Sequence, residues 1–211
     1  MMCVLDHGFI ALEEIAGGDA AVVRAARLCW KSEGDGLGPS DAKLIRSLME
    51  KGHGTPFEHT YLRWFVRCPI FVARQWMRHR IGSFNERSLR YTAADMVYYV
   101  PRGMPQELLE KYHSQCQAAF GLYKELKEEG VPQEQARGVL PLATYTEFVW
   151  SVNARAFMHW LGLRLQPGAQ WEHRAYAHAA YEDWKEYMPI TAEAFSLHYG
   201  LPKEKKDATN R

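Results

Sequence analysis

The chain has 211 residues and a mass of 24.3 kDa, with 47% apolar and 24% charged residues, which fits one sizeable globular domain and excludes a disordered chain. A domain of this size buries roughly 70% of its unfolded surface, so it needs neither a disulfide nor a structural metal to fold. The formal net charge of +1 argues against a broadly basic surface for nucleic acid or membranes. Any anion site must therefore come from a local concentration of positive charge.

The cysteines are widely spaced and include no C-x-x-C pair. They are Cys3, Cys29, Cys68 and Cys116. This spacing favours reduced thiols over a disulfide framework or a zinc site, and it predicts a cytoplasmic protein. The first residues lack the basic region and apolar stretch of a signal peptide, and no apolar run approaches the roughly 18 residues of a membrane span.

From the N-terminus, hydrophobic periodicity predicts two helices separated by a loop over residues 31–39. Asp19 is expected to cap the first helix, which runs to about Trp30. Ser40 is expected to cap the second helix, and Gly52 to end it.

The next segment, Thr60–Cys68, alternates apolar and polar residues and therefore predicts a strand with one buried face. The apolar positions are Leu62, Trp64, Val66 and Cys68. Pro69 suits the first turn of a helix that runs to about Arg80. The polar stretch from Ile81 to Tyr91 is predicted to be irregular.

The C-terminal half is predicted to be mostly helical, with one further strand. The expected elements are a long helix over 105–129, a short helix opened by Pro132, a strand over 144–152, and helices over 153–165, 169–187 and 191–199. The predicted fold class is α+β, a helix-rich single domain over residues 1–200 with a small, mostly antiparallel sheet. Residues 201–211 are expected to form a polar tail.

The densest chemical signal lies between Arg74 and Arg90, where arginines and His79 face the single acid Glu86. A guanidinium binds phosphate with two parallel hydrogen bonds, and an anionic ligand would offset the mutual repulsion. On the predicted helix, Arg74 and Arg78 share one face. The alternative is a solvated basic helix end. The hydroxyl, amide and carboxylate groups that follow at once favour ligand recognition.

Arg78-His79-Arg80, followed after seven residues by Ser88, resembles the R-H-R-x7-S signature of flavin-dependent thymidylate synthases. Residues 78–91 match every fixed position of the longer pattern R-H-R-x-x-S-x-N-E-x-S-x-R-Y. Other segments resemble further blocks of this family, in family order. They are residues 53–59 (H-G-T-P-F-E-H), 71–76, 131–142 and 153–164.

This resemblance implies the flavin-dependent thymidylate synthase fold and a methyltransferase that converts dUMP to dTMP in de novo dTMP biosynthesis. It implies methylene-tetrahydrofolate as the carbon donor and FAD, reduced by NADPH, as the hydride carrier. It also implies a homotetramer whose sites are shared between subunits. Neither nucleic acid nor a membrane is an expected partner.

The resemblance further implies roles for individual residues. The residues implied to contact FAD are Thr55, Arg78, His79, Arg80, Glu86, Asn153, Ala154, Arg155 and His159. Those implied to surround dUMP are Gln75, Trp76, Met77, Arg78, Glu86, Arg87, Ser88, Leu89, Arg90, Arg137 and Arg164. Arg164 is implied to polarise the uracil ring, and His53 to act on folate or nicotinamide; these two are the catalytic candidates. No metal is expected, because His53, Glu58 and His59 fit no standard ligand spacing.

Two alternatives stay open at this point. One is a non-catalytic RNA-binding module that stacks bases on Tyr91, Tyr98 and Tyr99; the near-neutral charge and the lack of an RNA-binding fingerprint count against it. The other is a flavoprotein of the same fold that acts on a different nucleotide. Purified enzyme with bound flavin would be yellow, whereas an RNA-binding module would be colourless. Comparison of methyl transfer to dUMP with transfer to other pyrimidine nucleotides would test the second alternative.

Overall fold

A computed structural model of the chain describes residues 1–29 and 37–200. Most of the predicted loop over 31–39 and the whole predicted tail therefore lie outside the described residues. The described residues form two compact units. Unit 1 comprises Met1–Ala11 and Trp64–Ser151, and unit 2 comprises the described residues of Leu12–Arg63 and Val152–Arg211. The single domain stays a prediction.

The fold is α+β and helix-rich with a small sheet, as predicted. The described strands are β1 (Met2–Val4), β2 (Gly8–Ala16), β3 (Tyr61–Pro69), β4 (Ser83–Glu86) and β5 (Tyr145–Val152). Their order in the sheet is β1-β2-β3-β5-β4, and both the β1–β2 and β4–β5 pairs are antiparallel. The strands β3 and β5 confirm the sequence prediction, whereas β1 and β2 were not foreseen.

The described helices lie between and after these strands in the chain. They are α1 (Gly18–Leu28), α2 (Pro39–Glu50), α3 (Ile70–Trp76), α4 (Gln106–Glu128), α5 (Gln133–Ala136), α6 (Ala154–Arg164), α7 (Trp171–Trp184) and α8 (Pro189–Tyr199), with 3₁₀ turns at Thr55–Glu58 and Arg137–Val139. In the part of the chain that the structure describes, no helix has the length and apolar character needed to cross a membrane.

The core of unit 1 lies on the predicted buried face of β3, where Trp64, Val66 and Cys68 are inaccessible to solvent. Trp76, at the end of α3, packs edge-on against Trp150 of β5 with ring centroids 5.5 Å apart. The strand alternation therefore correctly identified the buried face. Aromatic packing anchors α3 to the sheet immediately before the arginine-rich segment.

Asp19 caps a different helix from the one predicted. It belongs to the first turn of α1 and makes no capping bond there. Its buried carboxylate instead accepts hydrogen bonds from the N–H groups of Ile190, at 2.9 Å, and Thr191, at 3.0 Å. Asp19 thus satisfies unpaired donors in the first turn of α8, within unit 2. Only the tertiary fold brings these residues together.

Two further helix starts differ from the prediction. At α2 the helix begins at Pro39, and Asp41 rather than Ser40 supplies the cap, since its carboxylate accepts from the Gly38 N–H at 2.9 Å. At α3, Pro69 precedes the helix rather than lying in its first turn. Gly52, with φ of +67°, ends α2 as predicted.

Helix α3 is shorter than predicted, because it ends at Trp76 rather than near Arg80. The His79 N–H donates to the Trp76 carbonyl at 3.0 Å in a tighter turn. Arg78 therefore lies beyond the helix, and the predicted helical face shared by Arg74 and Arg78 does not exist. The prediction of an irregular segment over 81–91 was also wrong in part. Residues 83–86 form β4, whose mostly exposed polar side chains give no apolar alternation to detect.

Candidate functional site

The arginine-rich segment enters β4 through Gly82, where the backbone lies very close to β5. A Cβ atom at this position would lie 2.8 Å from Trp150 Nε1 and 2.9 Å from the Ser151 carbonyl oxygen. Glycine has no Cβ and accepts φ of +157°, so it permits an approach that other residues would block. The pairing of β4 with β5 begins at the next residue, where Ser83 faces Ser151.

Glu86 is held at the end of β4 by both backbone and side-chain contacts. Its register partner on β5 is Phe148, and its carboxylate accepts a hydrogen bond from the Thr146 hydroxyl at 2.7 Å. The Arg87 N–H continues the pairing by donating to the Glu147 carbonyl at 2.8 Å. The exposed Glu86 carboxylate is therefore fixed in direction, with one oxygen engaged and the group open to solvent.

The residues after β4 form a tight turn, residues 88–92, called the signature turn below. The Ser88 carbonyl accepts from the N–H groups of Tyr91 and Thr92, both at 3.0 Å. The Ser88 hydroxyl oxygen accepts from the Arg90 N–H at 3.3 Å. The turn thus places Ser88 and Arg90, two of the residues implied to surround dUMP, side by side.

Arg137 joins this group through Glu134, which belongs to α5. The Arg90 guanidinium donates from Nε and Nη2 to one Glu134 carboxylate oxygen, at 3.1 and 3.0 Å. Arg137 Nε donates to the Glu134 backbone carbonyl at 3.2 Å. Both members of the Arg90–Glu134 pair are about half exposed. Arg90 therefore contacts the side chain of Glu134 and Arg137 contacts its backbone, while the Ser88 hydroxyl contacts the backbone of Arg90.

Two residues implied to surround dUMP have side chains that face the interior. Trp76 is fully buried in the aromatic core, and Leu89 packs on the cluster of Ala94, Tyr123 and Ala136. Any ligand contact by Trp76 would therefore come from its backbone. Arg78 and Arg80 are exposed, and Gln75, Met77 and His79 are half-buried.

In unit 2, the implied ligand residues begin where α2 ends. The Gly52 N–H donates to the Met49 carbonyl at 3.1 Å, and the His53 N–H donates to the Leu48 carbonyl at 2.8 Å. This pair of bonds around a left-handed glycine is the Schellman arrangement, which stops the helix and turns the chain outward. His53 and Thr55 follow it and are both exposed.

Asn153 begins α6 as its cap. Its side-chain oxygen accepts from the Ala156 N–H at 2.9 Å, as expected of a good N-cap residue. The Ala154 N–H donates to the Thr60 hydroxyl at 2.8 Å, and that hydroxyl donates to the Phe57 carbonyl at 3.0 Å. The start of α6 is thereby tied to the 3₁₀ turn at Thr55–Glu58.

Arg155 lies across the backbone of Gly54, where a Cβ atom would come within 2.6 Å of Arg155 Nε. Its guanidinium forms a salt bridge with Glu58. Arg155 also borders a cavity of about 210 Å³, called the unit 2 cavity below. The residues that line this cavity are Leu48, Met49, Gly52, Gly54, Phe57, Arg155, Met158, His159, His198 and Tyr199. His198 and Tyr199 were missed, because nothing in the sequence of α8 marks them as ligand-facing.

Arg164 is the last residue of α6 and is half-buried. Burial lowers the pKa of its guanidinium from the ordinary value, because a charged group loses hydration there. The group remains cationic at neutral pH, since arginine starts from a pKa above about 12. A partly desolvated cation interacts more strongly with nearby negative charge than a solvated one.

The predicted residues divide between the two units. Those from Gln75 to Arg90, with Arg137, belong to unit 1, and His53, Thr55 and the residues of 153–164 belong to unit 2. Among the residues that the structure describes, no three His, Cys, Asp or Glu side chains are grouped so that they could hold a metal ion.

The sequence matches the family described as thymidylate synthase complementing protein over residues 11–190. A flavin-dependent thymidylate synthase of Thermosipho africanus (strain TCF52B) is 44% identical, over 91% of this chain and 92% of that protein. The crystal structure of a UMP/dUMP methylase, PolB from Streptomyces cacaoi, bound with 5-Br dUMP has a TM-score of 0.85 at 35% identity, over 93% of this chain and 97% of that chain. The same methylase bound with 5-Br UMP has a TM-score of 0.84 at 33% identity, over 96% and 99%.

Proposed function

The chain belongs to the flavin-dependent thymidylate synthase family, and from this premise we propose that it methylates carbon 5 of dUMP to form dTMP. Methylene-tetrahydrofolate is the proposed carbon donor, and FAD reduced by NADPH is the proposed hydride carrier. One observation carries the proposal: residues 78–91 match the family signature without interruption, and the structure presents their second half on β4 and the signature turn.

The proposed phosphate ligands of dUMP are Ser88, Arg90 and Arg137. In support, the Arg90 guanidinium directs Nε and Nη2 at one carboxylate oxygen of Glu134, and a phosphate oxygen could accept the same hydrogen bonds. The Ser88 hydroxyl and the Arg137 guanidinium add donors beside it. A phosphate dianion in this position would be held by charge-assisted hydrogen bonds.

Arg164 is the proposed activator of the uracil ring. Carbon 5 attacks an electrophile only as electron density builds there, so negative charge must also build on the ring nitrogen 3 and oxygen 2. A guanidinium that faces these atoms stabilises this charge without taking part in proton transfer. The lowered pKa of Arg164 reflects partial desolvation, the condition under which such a charge acts most strongly.

The flavin residues of unit 2 fit a flat, phosphate-bearing cofactor. Arg155 and His159 place cationic or polar donors on the rim of the unit 2 cavity, beside the apolar side chains of Phe57 and Met158. The bound flavin would supply the hydride transfers. Further proposed FAD contacts in unit 2 are Thr55, Asn153 and Ala154. The proposed FAD contacts in unit 1 are Arg78, His79, Arg80 and Glu86. His53 is proposed to act on folate or nicotinamide.

The same family membership supports a homotetramer with sites shared between subunits. The trial mixes the inactive variants Arg78→Ala and Arg164→Ala after subunit exchange. If the two residues of one site come from different chains, hybrids regain activity because some sites receive both arginines. A hybrid that is demonstrated by mass and stays inactive contradicts this arrangement.

A second candidate function is the methylation of UMP. The solved structure of the Streptomyces cacaoi protein is that of a UMP/dUMP methylase, and it was solved with 5-Br UMP as well as with 5-Br dUMP. Acceptance of UMP here would require a sugar site that tolerates the 2′-hydroxyl. Equal turnover of UMP and dUMP would favour this second function.

The deciding experiment incubates the purified protein with FAD, NADPH, methylene-tetrahydrofolate and either dUMP or UMP. We expect a yellow protein that forms dTMP from dUMP, with the product measured by chromatography. Omission of NADPH or of the folate should abolish the product. A flavin-loaded protein that forms no methylated pyrimidine from either nucleotide would contradict the proposal.

A further inference from the structure

The signature turn is closed at its far end by Thr92. The Thr92 hydroxyl donates to the Ser88 carbonyl at 3.0 Å, parallel to the backbone bond between the same two residues. Since Ser88 and Arg90 lie within this turn, the position of Thr92 determines the orientation of both residues. Whatever holds Thr92 therefore controls the proposed phosphate site.

Arg87, immediately before the turn, directs all three of its guanidinium nitrogens to the segment that follows it. Nε donates to the Thr92 hydroxyl oxygen at 3.2 Å, Nη2 to the Ala93 carbonyl at 2.9 Å, and Nη1 to the Asp95 carboxylate at 2.9 Å. Its backbone N–H is paired with β5. The side chain thus ties the start of the turn to its end.

Gln133 of α5 holds the same turn from the other side. Its side-chain NH₂ group donates to the Thr92 carbonyl at 2.5 Å and to the Leu89 carbonyl at 3.2 Å. Arg87 and Gln133 therefore meet at Thr92, one at the hydroxyl and the other at the carbonyl. Together they leave the turn little freedom to open.

The charge of Arg87 is balanced within unit 1. Asp95 lies 2.9 Å from Arg87 and 3.5 Å from Arg67. Glu147 lies 3.9 Å from Arg87 and 3.8 Å from Arg67. Two arginines and two carboxylates make a neutral group, which presents no net positive charge to an incoming phosphate.

We propose that Arg87, with Asp95 and Gln133, is a positioning residue that holds the signature turn in the conformation that presents Ser88 and Arg90 to the substrate phosphate, and that the Arg87 side chain does not itself contact the phosphate. This inference rests on the proposed function. It differs from the family resemblance, which places Arg87 among the residues around dUMP, because it assigns the side chain an indirect effect.

The test measures the dissociation constant of dUMP for flavin-loaded Arg87→Met, Asp95→Asn and the double variant. We expect each single substitution to weaken dUMP binding roughly tenfold, with the double variant no weaker than Arg87→Met alone, because Arg87→Met already removes the contact with Asp95. Turnover at saturating dUMP and flavin affinity should stay near the wild-type values. A rise in KM without a fall in kcat identifies loss of substrate binding rather than of chemistry.

Direct contact between Arg87 and phosphate gives the opposite pattern. Asp95→Asn would then release the guanidinium from its carboxylate and leave dUMP binding unchanged or tighter. Arg87→Met would weaken binding in both backgrounds. Unchanged or tighter binding by Asp95→Asn, with Arg87→Met still weakening it, overturns the proposal.

Thr92→Val provides a second route that is safer for folding, because Thr92 is exposed and valine keeps its shape. It removes the hydroxyl between Arg87 and Ser88 and should weaken dUMP binding several-fold. Unchanged binding overturns the proposed positioning of the signature turn by Arg87, called the clamp below. The matched control is Arg46→Met, which breaks the exposed Arg46–Glu193 pair of unit 2 and should not change dUMP binding.

If the wild-type protein binds neither dUMP nor UMP, the proposed function fails and the clamp with it. If it binds dUMP but the variants bind equally well, only the clamp fails.

Discussion

The signature turn of unit 1 and the unit 2 cavity are held in shape by different forces. The turn is fixed by hydrogen bonds from the side chains of Arg87, Thr92 and Gln133 to one another and to the backbone. The cavity is fixed by apolar packing, because Phe57 is 1% and Met158 5% exposed. One region is a network of polar contacts near the surface, and the other is lined both by buried apolar side chains and by exposed polar ones such as Arg155 and His159.

This difference predicts how each region responds to substitution. A hydrogen bond at a partly exposed site contributes about 0.5–1.5 kcal/mol to stability, so changes in the turn should alter ligand affinity and leave the free energy of unfolding nearly intact. A buried aromatic ring contributes several times more. Changes beneath the cavity should therefore destabilise the protein.

The largest expected effect is that of Phe57→Ala. Removal of this buried ring should lower the free energy of unfolding by about 3–5 kcal/mol, through lost burial and the cavity left behind. Urea unfolding measures the change, with Leu163→Ala as the control, since Leu163 is half exposed on α6. A loss below about 1 kcal/mol would show that packing does not hold the cavity.

Arg164→Ala should follow, with its effect on rate rather than on stability. Loss of one preorganised donor to a developing negative charge typically lowers kcat by about a hundredfold to a thousandfold. The variant should keep its Tm and its flavin, and Arg164→Lys should restore little, since an ammonium lacks the planar fork. Near-normal dTMP formation by Arg164→Ala would contradict the proposed role at the uracil ring and leave Arg164 only as a charge at the end of α6.

Arg90→Ala tests whether the turn serves the substrate rather than the cofactor. A lost charge-assisted hydrogen bond costs about 1.5–3 kcal/mol, so dUMP affinity should fall by one to two orders of magnitude while flavin affinity is kept. Titration of both ligands measures the two effects. Arg24→Ala, at an exposed position of α1, is the control. Equal losses for both ligands would contradict the assignment of Arg90 to phosphate.

The smallest effect is expected at the cysteines. Burial and the nearby Glu86 carboxylate raise the pKa of the Cys68 thiol, so it stays protonated and non-nucleophilic at neutral pH. Replacement of Cys68 or Cys116 by alanine, or of Cys3 or Cys29 by serine, should leave turnover largely intact. Mass spectrometry should find no covalent adduct of dUMP with a cysteine; its detection would refute a purely flavin-based methylation.

The sequence alone determined the elements whose patterns are local. The alternation of β3 identified its buried face, because side chains on a strand alternate between two surfaces. The long helix α4 and the helix that follows Asn153 were also predicted, since helix periodicity depends on residues only a few positions apart. The signature from Arg78 to Tyr91 was recognisable for a similar reason: its chemistry lies in one continuous segment.

Only the tertiary structure decided the contacts between residues far apart in the chain. Asp19 looked like a cap for its own helix, yet its carboxylate accepts hydrogen bonds from α8, where Ile190 lies 171 residues further along the chain. The strand β4 carries no apolar alternation and exists because Gly82 lets it approach β5. The resemblance implied only that Arg87 lies near dUMP, and the contacts of its side chain with Thr92, Ala93 and Asp95 are seen only in the structure. The physical reason is common to all three: an unpaired polar group takes the nearest partner in space, and the sequence lists neighbours only along the chain.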